Sequence, residues 1–313
     1  MAELTDPGEL VAAARAGDRA ALARLLSVVE RGGPEARAVG RLTHPIGGSG
    51  YTIGITGAPG AGKSTLTNAL ISRVRADGDA VAVLAVDPSS PFSGGAILGD
   101  RVRMQDHTGD DGVYIRSMAT RGHLGGLSLA TLEAIRALDA CGWPWIVIET
   151  VGVGQVEVEV AGAADTTIVV VTPGWGDAVQ ANKAGLLEIA DVFVINKADR
   201  PGEAETRRDL ERVLDLSERS GWRPPVVATT APTGEGVAEL WSSVSAHRAH
   251  LRSTGELEGR RAARVGDELL RILGALLEER ARASAGPELA DLAARVAARD
   301  LDPWTAAAEL LPD

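Results

Sequence analysis

The residues with the clearest chemical meaning are Gly57-Ala58-Pro59-Gly60-Ala61-Gly62-Lys63-Ser64, the pattern G-x-x-x-x-G-K-[ST], with Thr65 directly after it. Glycines at this spacing let a backbone close around phosphate oxygens without Cβ clashes. The stretch joins Tyr51–Thr56, a short β-branched run, to Ser64–Ala76, where Leu66, Ala69, Leu70 and Val74 recur at helical spacing. A Gly-rich turn between strand and helix aims backbone N–H groups and the positive end of the helix dipole at one point. Residues 57–65 are therefore expected to hold a nucleotide. Lys63 is expected to reach its β- and γ-phosphates, with the Ser64 hydroxyl on Mg²⁺.

A second pattern, Asn196-Lys197-Ala198-Asp199, is N-K-x-D. A carboxylate at Asp199 accepts both the ring N1–H and the exocyclic amine of guanine, and adenine presents no matching pair of donors. Lys197 is expected to lie along the base, and Asn196 to tie its loop to the phosphate loop. Thr229-Thr230-Ala231 ends another apolar run, so Thr230 and Ala231 are expected to offer a backbone N–H to the guanine oxygen. GTP and GDP are the expected ligands.

Carboxylates supply the third set. Asp87 follows the apolar run Val81–Val86, and Glu149 follows Trp145–Ile148. With Ser64 as the direct ligand, Asp87, Asp100 and Glu149 are candidates to hold the ion, directly or through its waters. Asp100 lies in Pro88–Asp110, rich in Gly, Ser and Pro, as expected of a segment ordered by a γ-phosphate. Glu149-Thr150-Val151-Gly152 reads E-x-x-G in place of the usual D-x-x-G, and the Gly152 N–H is expected at the γ-phosphate. Gln155 is not adjacent to Gly152 and is not assigned to the attacking water. Lys183, the only cation between Gly174 and Gly185, is a candidate catalytic cation. Its alternative is a solvated lysine at a helix start. Arg101, Arg103, Arg116 and Arg121 read as charge stabilisers or as surface and ion-pair residues. His44, His107, His123, His247 and His250 show no ligand spacing and read as ordinary polar residues.

These groups need a scaffold, and the chain supplies alternating strands and helices. Expected strands are Tyr51–Thr56, Ala80–Val86, Val113–Arg116, Trp145–Glu149, Thr166–Thr172, Val192–Ile195 and Val226–Thr229. Expected helices between them include Gly125–Ala140, Glu203–Ser220 and Val237–Ala249. Near-continuously apolar strands in β-α units predict an α/β fold, a P-loop nucleotide-binding domain with a mostly parallel sheet sandwiched by helices. Ligands in such sheets bind at the carboxyl ends of strands, where Asp87, Glu149 and Asn196 fall. Residues 1–47 read as an N-terminal helical arm separate from this core, either packed decoration or a docking surface, with Asp6 and Asp18 as caps and with Pro34 and Gly47–Gly50 as breaks. Residues 48–253 form the nucleotide domain. Residues 254–313 read as a helical extension whose apolar face (Leu269, Leu270, Ile272, Leu273, Leu276, Leu277) packs on its own core or on a partner.

The 313 residues carry 32 Lys+Arg against 43 Asp+Glu, a net charge of −11, which argues against nucleic acid as the main partner. No apolar run approaches the roughly 20 residues of a membrane span. No export signal is visible, and a lone Cys141 excludes an internal disulfide framework. A cytoplasmic location is expected, without membrane attachment.

Taken in order, Gly57–Ser64, Asp87-Pro88-Ser89-Ser90-Pro91, Gly94–Arg101, Glu149–Gln155 and Asn196–Asp199 resemble the methylmalonyl-CoA mutase-associated GTPases, the MeaB/ArgK group. The likeness runs from about Gly48 into the C-terminal helices. It departs at Val156, where serine is expected, and at Thr230, where a Ser-Ala pair is usual. The resemblance implies sheet topology of the signal-recognition and MinD class and a homodimer formed through the C-terminal extension. It implies a GTPase that chaperones an adenosylcobalamin-dependent acyl-CoA mutase, gating cofactor loading and protecting or rescuing the enzyme. It also implies that Gly174–Lys183 is a further switch at the mutase contact. Two other readings stand beside it: a protein kinase of a transport system, and a metal-delivery GTPase for nickel enzymes, the latter disfavoured by the missing Cys/His cluster.

Overall fold

A computed structural model describes residues 6–87, 107, 109–119, 129–150, 156–174, 188–216, 221–284 and 286–310. The chain forms two compact units, residues 1–260 and 261–313. In the first, strands β1 (Tyr51–Gly57), β2 (Val81–Asp87), β3 (Val113–Ala119), β4 (Trp145–Thr150), β5 (Thr166–Val171), β6 (Val192–Asn196) and β7 (Val226–Thr229) make one seven-stranded sheet. Its order is β3-β2-β4-β1-β5-β6-β7, and every pairing is parallel. All seven expected strands form. β1, β4, β5 and β6 are buried along their whole length, as sheets covered on both faces require.

Alternation along each strand divides the core. Ile53, Ile55, Val83, Val147, Val170 and Val194 pack with α4 (Lys63–Ala76) and Val237–Thr254, which we number α8. On the other face, Leu84, Tyr114, Met118 and Ile146 share a cluster with α1 (Pro7–Arg15), α2 (Arg19–Arg31), α3 (Gly33–Thr43) and α5 (Leu129–Ala140). Val86 and Ile148 meet α6 (Val156–Ala163), and Phe193 and Ile195 meet α7 (Glu203–Leu216).

The N-terminal helices, open above between packed decoration and a docking surface, pack on this face of the sheet. Their starts follow from capping: Asp6 accepts the Gly8 and Glu9 amides, and Asp18 those of Ala20 and Ala21. Pro34, expected as a break, lies in the first turn of α3, where its missing N–H has no intrahelical partner to lose. Arg116, weighed above as a charge stabiliser or an ion-pair residue, is an ion-pair residue, meeting Glu30 at 2.8 Å and the Ala23 carbonyl at 3.1 Å. α8 runs five residues past its expected end, to Thr254.

The second unit begins within α9 (Glu256–Ser284) and adds α10 (Gly286–Ala297) and α11 (Pro303–Glu309), the last capped by Asp302. No helix among the described residues is long and apolar enough to cross a membrane.

The amino ends of the strands are fixed by a polar cluster. Asp191 accepts the Thr167 amide at 2.8 Å and is forked by Arg260 at 3.1 Å. His247, fully buried, meets Thr166 Oγ1 at 2.8 Å through Nδ1, and that hydroxyl also meets the Tyr51 hydroxyl at 2.7 Å. Burial, then the nearby positive charge of Arg260, drives the His247 pKa down to about 3. Asp191 lies 3.4 Å from Nε2 but is already engaged by Arg260. Unfolding releases His247 to its ordinary value of 6.5, so the unfolded chain binds one more proton between pH 6.5 and about 3. Stability should therefore fall as pH drops below 6.5, by up to about 1.4 kcal/mol per pH unit from this residue. Urea melts of the parent and His247→Asn from pH 7 to pH 4 check this: the variant should lose that slope, and parallel curves would assign the acid sensitivity elsewhere.

Candidate nucleotide site

The carboxyl ends of β1, β4, β6 and β7 converge around the turn that opens α4. Two glycines are fixed there by contact. Gly57 has φ 139°, and a Cβ on it would lie 2.1 Å from the Val170 carbonyl oxygen. Gly62 has φ 90°, and its Cβ would lie 2.4 Å from Asn196 Nδ2. A side chain at either position would displace a neighbouring strand or the base motif.

Within the loop the carbonyls point inward and are taken up by side chains. Lys63 Nζ donates to the Gly57 carbonyl at 2.6 Å and to Ala58 at 3.2 Å. Asn196 Nδ2 donates to Ala61 at 2.8 Å, and Lys197 Nζ to Gly60 at 2.6 Å. The Ala61 amide turns back to the Ala58 carbonyl at 3.1 Å, and the loop opens onto the N-terminus of a 14-residue helix, an end suited to holding an anion. Lys63, expected on the phosphates, rests here on the loop it would leave when drawn outward. Ala58 is half-buried, while Pro59, Gly60 and Thr65 are exposed on the rim.

Asn196 is the junction. Its side-chain oxygen accepts from Thr229 Oγ1 at 3.1 Å and from the Ala231 amide at 3.2 Å, while its nitrogen holds Ala61. β6 and β7 are in register at Asn196 and Thr229. Lys197 follows at φ 61°, a left-handed conformation rare outside glycine and held here by its bond to Gly60. Asp199 is exposed just beyond, with Ala198 pinned to the Thr229 carbonyl at 3.1 Å.

Thr230 and Ala231, expected to offer a backbone N–H to the guanine oxygen, have their amides engaged within the protein here: Thr230 donates to the Glu235 carbonyl at 3.0 Å and Ala231 to the Asn196 side-chain oxygen at 3.2 Å. The reason is the tight reversal at Gly236, which brings Glu235 back onto Thr230. Conversely, the Thr229 hydroxyl was not singled out as a brace. The pairing of two strand ends, one closing on asparagine and one on threonine, is the signal that points to it.

Of the carboxylates, Glu149 is buried and accepts from Ser64 Oγ at 2.6 Å, joining the end of β4 to the first turn of α4. A buried carboxylate and a hydroxyl beside a phosphate loop are the hard oxygen donors that Mg²⁺ takes, so these residues fit that ion. Asp87 is the last residue of β2, two beyond Ala85, the register partner of Glu149. Its side chain, with Asp100, Gly152 and Lys183, lies outside the described residues.

Replacing Asn196 by alanine removes three internal hydrogen bonds at about 1 kcal/mol each, so the fold should lose about 3 kcal/mol of stability and GTP and GDP affinity should fall as the base motif loosens from the phosphate loop. Asn196→Asp, which keeps the acceptor, should fall less. Titration with a fluorescent guanine nucleotide checks the order, and unchanged affinity in the alanine variant excludes the brace.

Comparison with known proteins adds to this geometry. A putative GTPase of Pyrococcus horikoshii is 48% identical over 303 residues, covering 96% of this chain and 95% of its own. The mouse methylmalonic aciduria type A homolog, mitochondrial, is 39% identical, covering 67% of this chain and 52% of its own. A crystal structure of a LAO/AO transport system kinase superposes with a TM-score of 0.74 at 27% identity, covering 99% of this chain and 98% of that one. The family model for the methylmalonyl-CoA mutase-associated GTPase MeaB matches residues 22–286. With its phosphate loop and N-K-x-D motif joined through Asn196, the chain belongs to the MeaB family of GTPases.

Proposed function

We propose that this GTPase hydrolyses GTP with Mg²⁺ and serves as the chaperone of an adenosylcobalamin-dependent acyl-CoA mutase, methylmalonyl-CoA mutase or a close relative. It would gate cofactor loading and protect or reactivate the mutase, in the cytoplasm. The observation that carries the chemistry is the junction at Asn196, which sets a guanine-type motif against a phosphate loop. The partner is supported by the family model and by the mouse relative's name.

Lys63 carries charge to the β- and γ-phosphates. Ser64 would hold the Mg²⁺, with Asp87, Asp100 and Glu149 holding it directly or through its waters, and the ion would supply charge neutralisation for the transferred phosphoryl group. Gly152 turns its N–H to the γ-phosphate, and Asp199 reads guanine. Lys183 is the cation brought in by the loop after Gly174. The chain has three lysines, Lys63, Lys183 and Lys197, against 29 arginines. Where arginine serves nearly every cationic position, a retained lysine suggests a site needing a compact ammonium, as at Lys63 and Lys197. Residues 254–313 provide the homodimer surface, supported by Val265, Leu269, Leu270, Leu273, Leu276 and Leu277, which lie exposed along α9.

Asp199→Asn should weaken GTP binding and shift preference toward xanthosine nucleotides, because the amide donates where the carboxylate accepted. A parent that binds ATP as tightly as GTP removes the guanine assignment. Hydrolysis alone should be slow and should accelerate with the cognate mutase, since a charge-stabilising group supplied on complex formation is worth roughly 10³–10⁵ in rate. Steady-state phosphate release with and without mutase, for parent and Lys183→Ala, decides both points. No acceleration in the parent discards partner activation, and equal acceleration in both clears Lys183. Stable phosphate transfer to a protein, in place of release to water, would favour the kinase reading.

A further inference from the structure

Asp199 is exposed on a short turn, and its aim depends on how both arms of that turn are held. The turn closes on itself where the Arg200 amide donates to the Lys197 carbonyl at 3.0 Å. Its first arm is fixed by Asn196, by the bond from Lys197 to Gly60 and by the Ala198 amide on the Thr229 carbonyl. Its second arm, Arg200-Pro201-Gly202, runs directly into α7, and its anchor lies there.

The Gly202 carbonyl accepts the Thr206 amide at 3.0 Å, so the helix opens at Gly202. Thr206 is 2% exposed, and its hydroxyl accepts the Gly174 amide at 3.2 Å. Threonines in helices commonly turn to solvent or to their own helix, whereas this one reaches the end of a strand. Gly202 has φ 100°, and a Cβ on it would lie 3.5 Å from the Gly174 nitrogen and 3.6 Å from Pro173 Cβ, so the two backbones run close together. Pro173 and Gly174 follow β5, whose Val170 is the register partner of Gly57. Through Thr206 the second arm is thus tied to the strand that borders the phosphate loop.

We propose that Thr206 is a positioning residue for guanine recognition. By tying the first turn of α7 to the end of β5, it holds the second arm of the Asp199 turn and sets the aim of that carboxylate. Asp199 must accept two N–H groups of one base edge at once, and hydrogen bonds weaken steeply when misaligned. A side chain on a turn held by one arm only keeps a freedom that binding must remove. Thr206 acts through the backbone and not on the nucleotide.

This rests on the reading of Asp199 as the carboxylate that reads guanine. The probe is the affinity ratio of GDP to inosine diphosphate, whose base lacks the exocyclic amine. The parent should prefer GDP by about 10- to 100-fold, the worth of one hydrogen bond to a charged group. Thr206→Val keeps the side-chain shape, deletes the acceptor and should lower that preference about three- to ten-fold. Thr206→Ser, which keeps the hydroxyl, should restore it. Leu214→Ala is the control: it opens the apolar cluster towards the other end of the same helix, so it should lower the melting temperature and leave the ratio as in the parent. A parent without preference for GDP removes the Asp199 reading and this role with it. A parent that has the preference, kept intact by Thr206→Val, overturns the role of Thr206 alone. A ratio lowered as far by Leu214→Ala, or one that Thr206→Ser fails to restore, reduces Thr206 to general packing and overturns the proposal equally.

Discussion

A loop that offers its amides to an anion must settle its carbonyls on the inside, and this requirement organises the structure. The carbonyls of Gly57, Ala58, Gly60 and Ala61 are met by Lys63, Lys197 and Asn196. Two of those three side chains belong to the base motif, separated from the loop by more than 130 positions. Phosphate binding and base recognition are thus one hydrogen-bonded body. Its closeness leaves no room for a side chain at Gly57 or Gly62, and it holds Lys197 in a backbone conformation seldom used by lysine.

The parallel sheet makes that body possible. Register between β1 and β4 sets Glu149 beside Ile55, within reach of Ser64, and register between β6 and β7 sets Thr229 beside Asn196. Helices hold the strands from both faces, and Asp165 and Asp191 hold them from the amino end. Asp165 takes the Thr52 amide at 3.0 Å, and Asp191 takes that of Thr167. Buried carboxylates persist at these strand starts because each accepts a backbone amide, and Asp191 a guanidinium as well.

Much of this was legible in the residues. The strands announced themselves by unbroken apolar runs, and the phosphate loop and N-K-x-D motif by side-chain chemistry that few other arrangements use. Less legible was whatever depends on distant partners. Pro34 suits a helix's first turn as well as a break, and only the cluster shared by Val39, Leu25 and Leu138 made a helix of Gly33–Thr43. Whether the N-terminal segment packs or docks was not legible because its caps are local, whereas its attachment runs through apolar contacts and the Arg116–Glu30 pair, which no spacing reveals. The internal partners of the Thr230 and Ala231 amides were hidden for the same reason, since the turn at Gly236 brings Glu235 onto Thr230.

The carbonyl-holding amines carry a practical consequence for handling the molecule. Lys63 is 7% exposed and Lys197 is half-buried against Gly60, and the only further side-chain amine is Lys183. Reagents that acylate primary amines therefore find almost nothing to modify on the bulk of the surface. Whatever they do attach, whether a dye, a cross-linker or a sensor-chip linkage, falls on two groups that shape the phosphate loop, on Lys183 or on the chain's α-amine. Labelling through the exposed carboxylates leaves those amines intact, whereas burial pushes the pKa of the Cys141 thiol up to about 11 and makes it a poor handle.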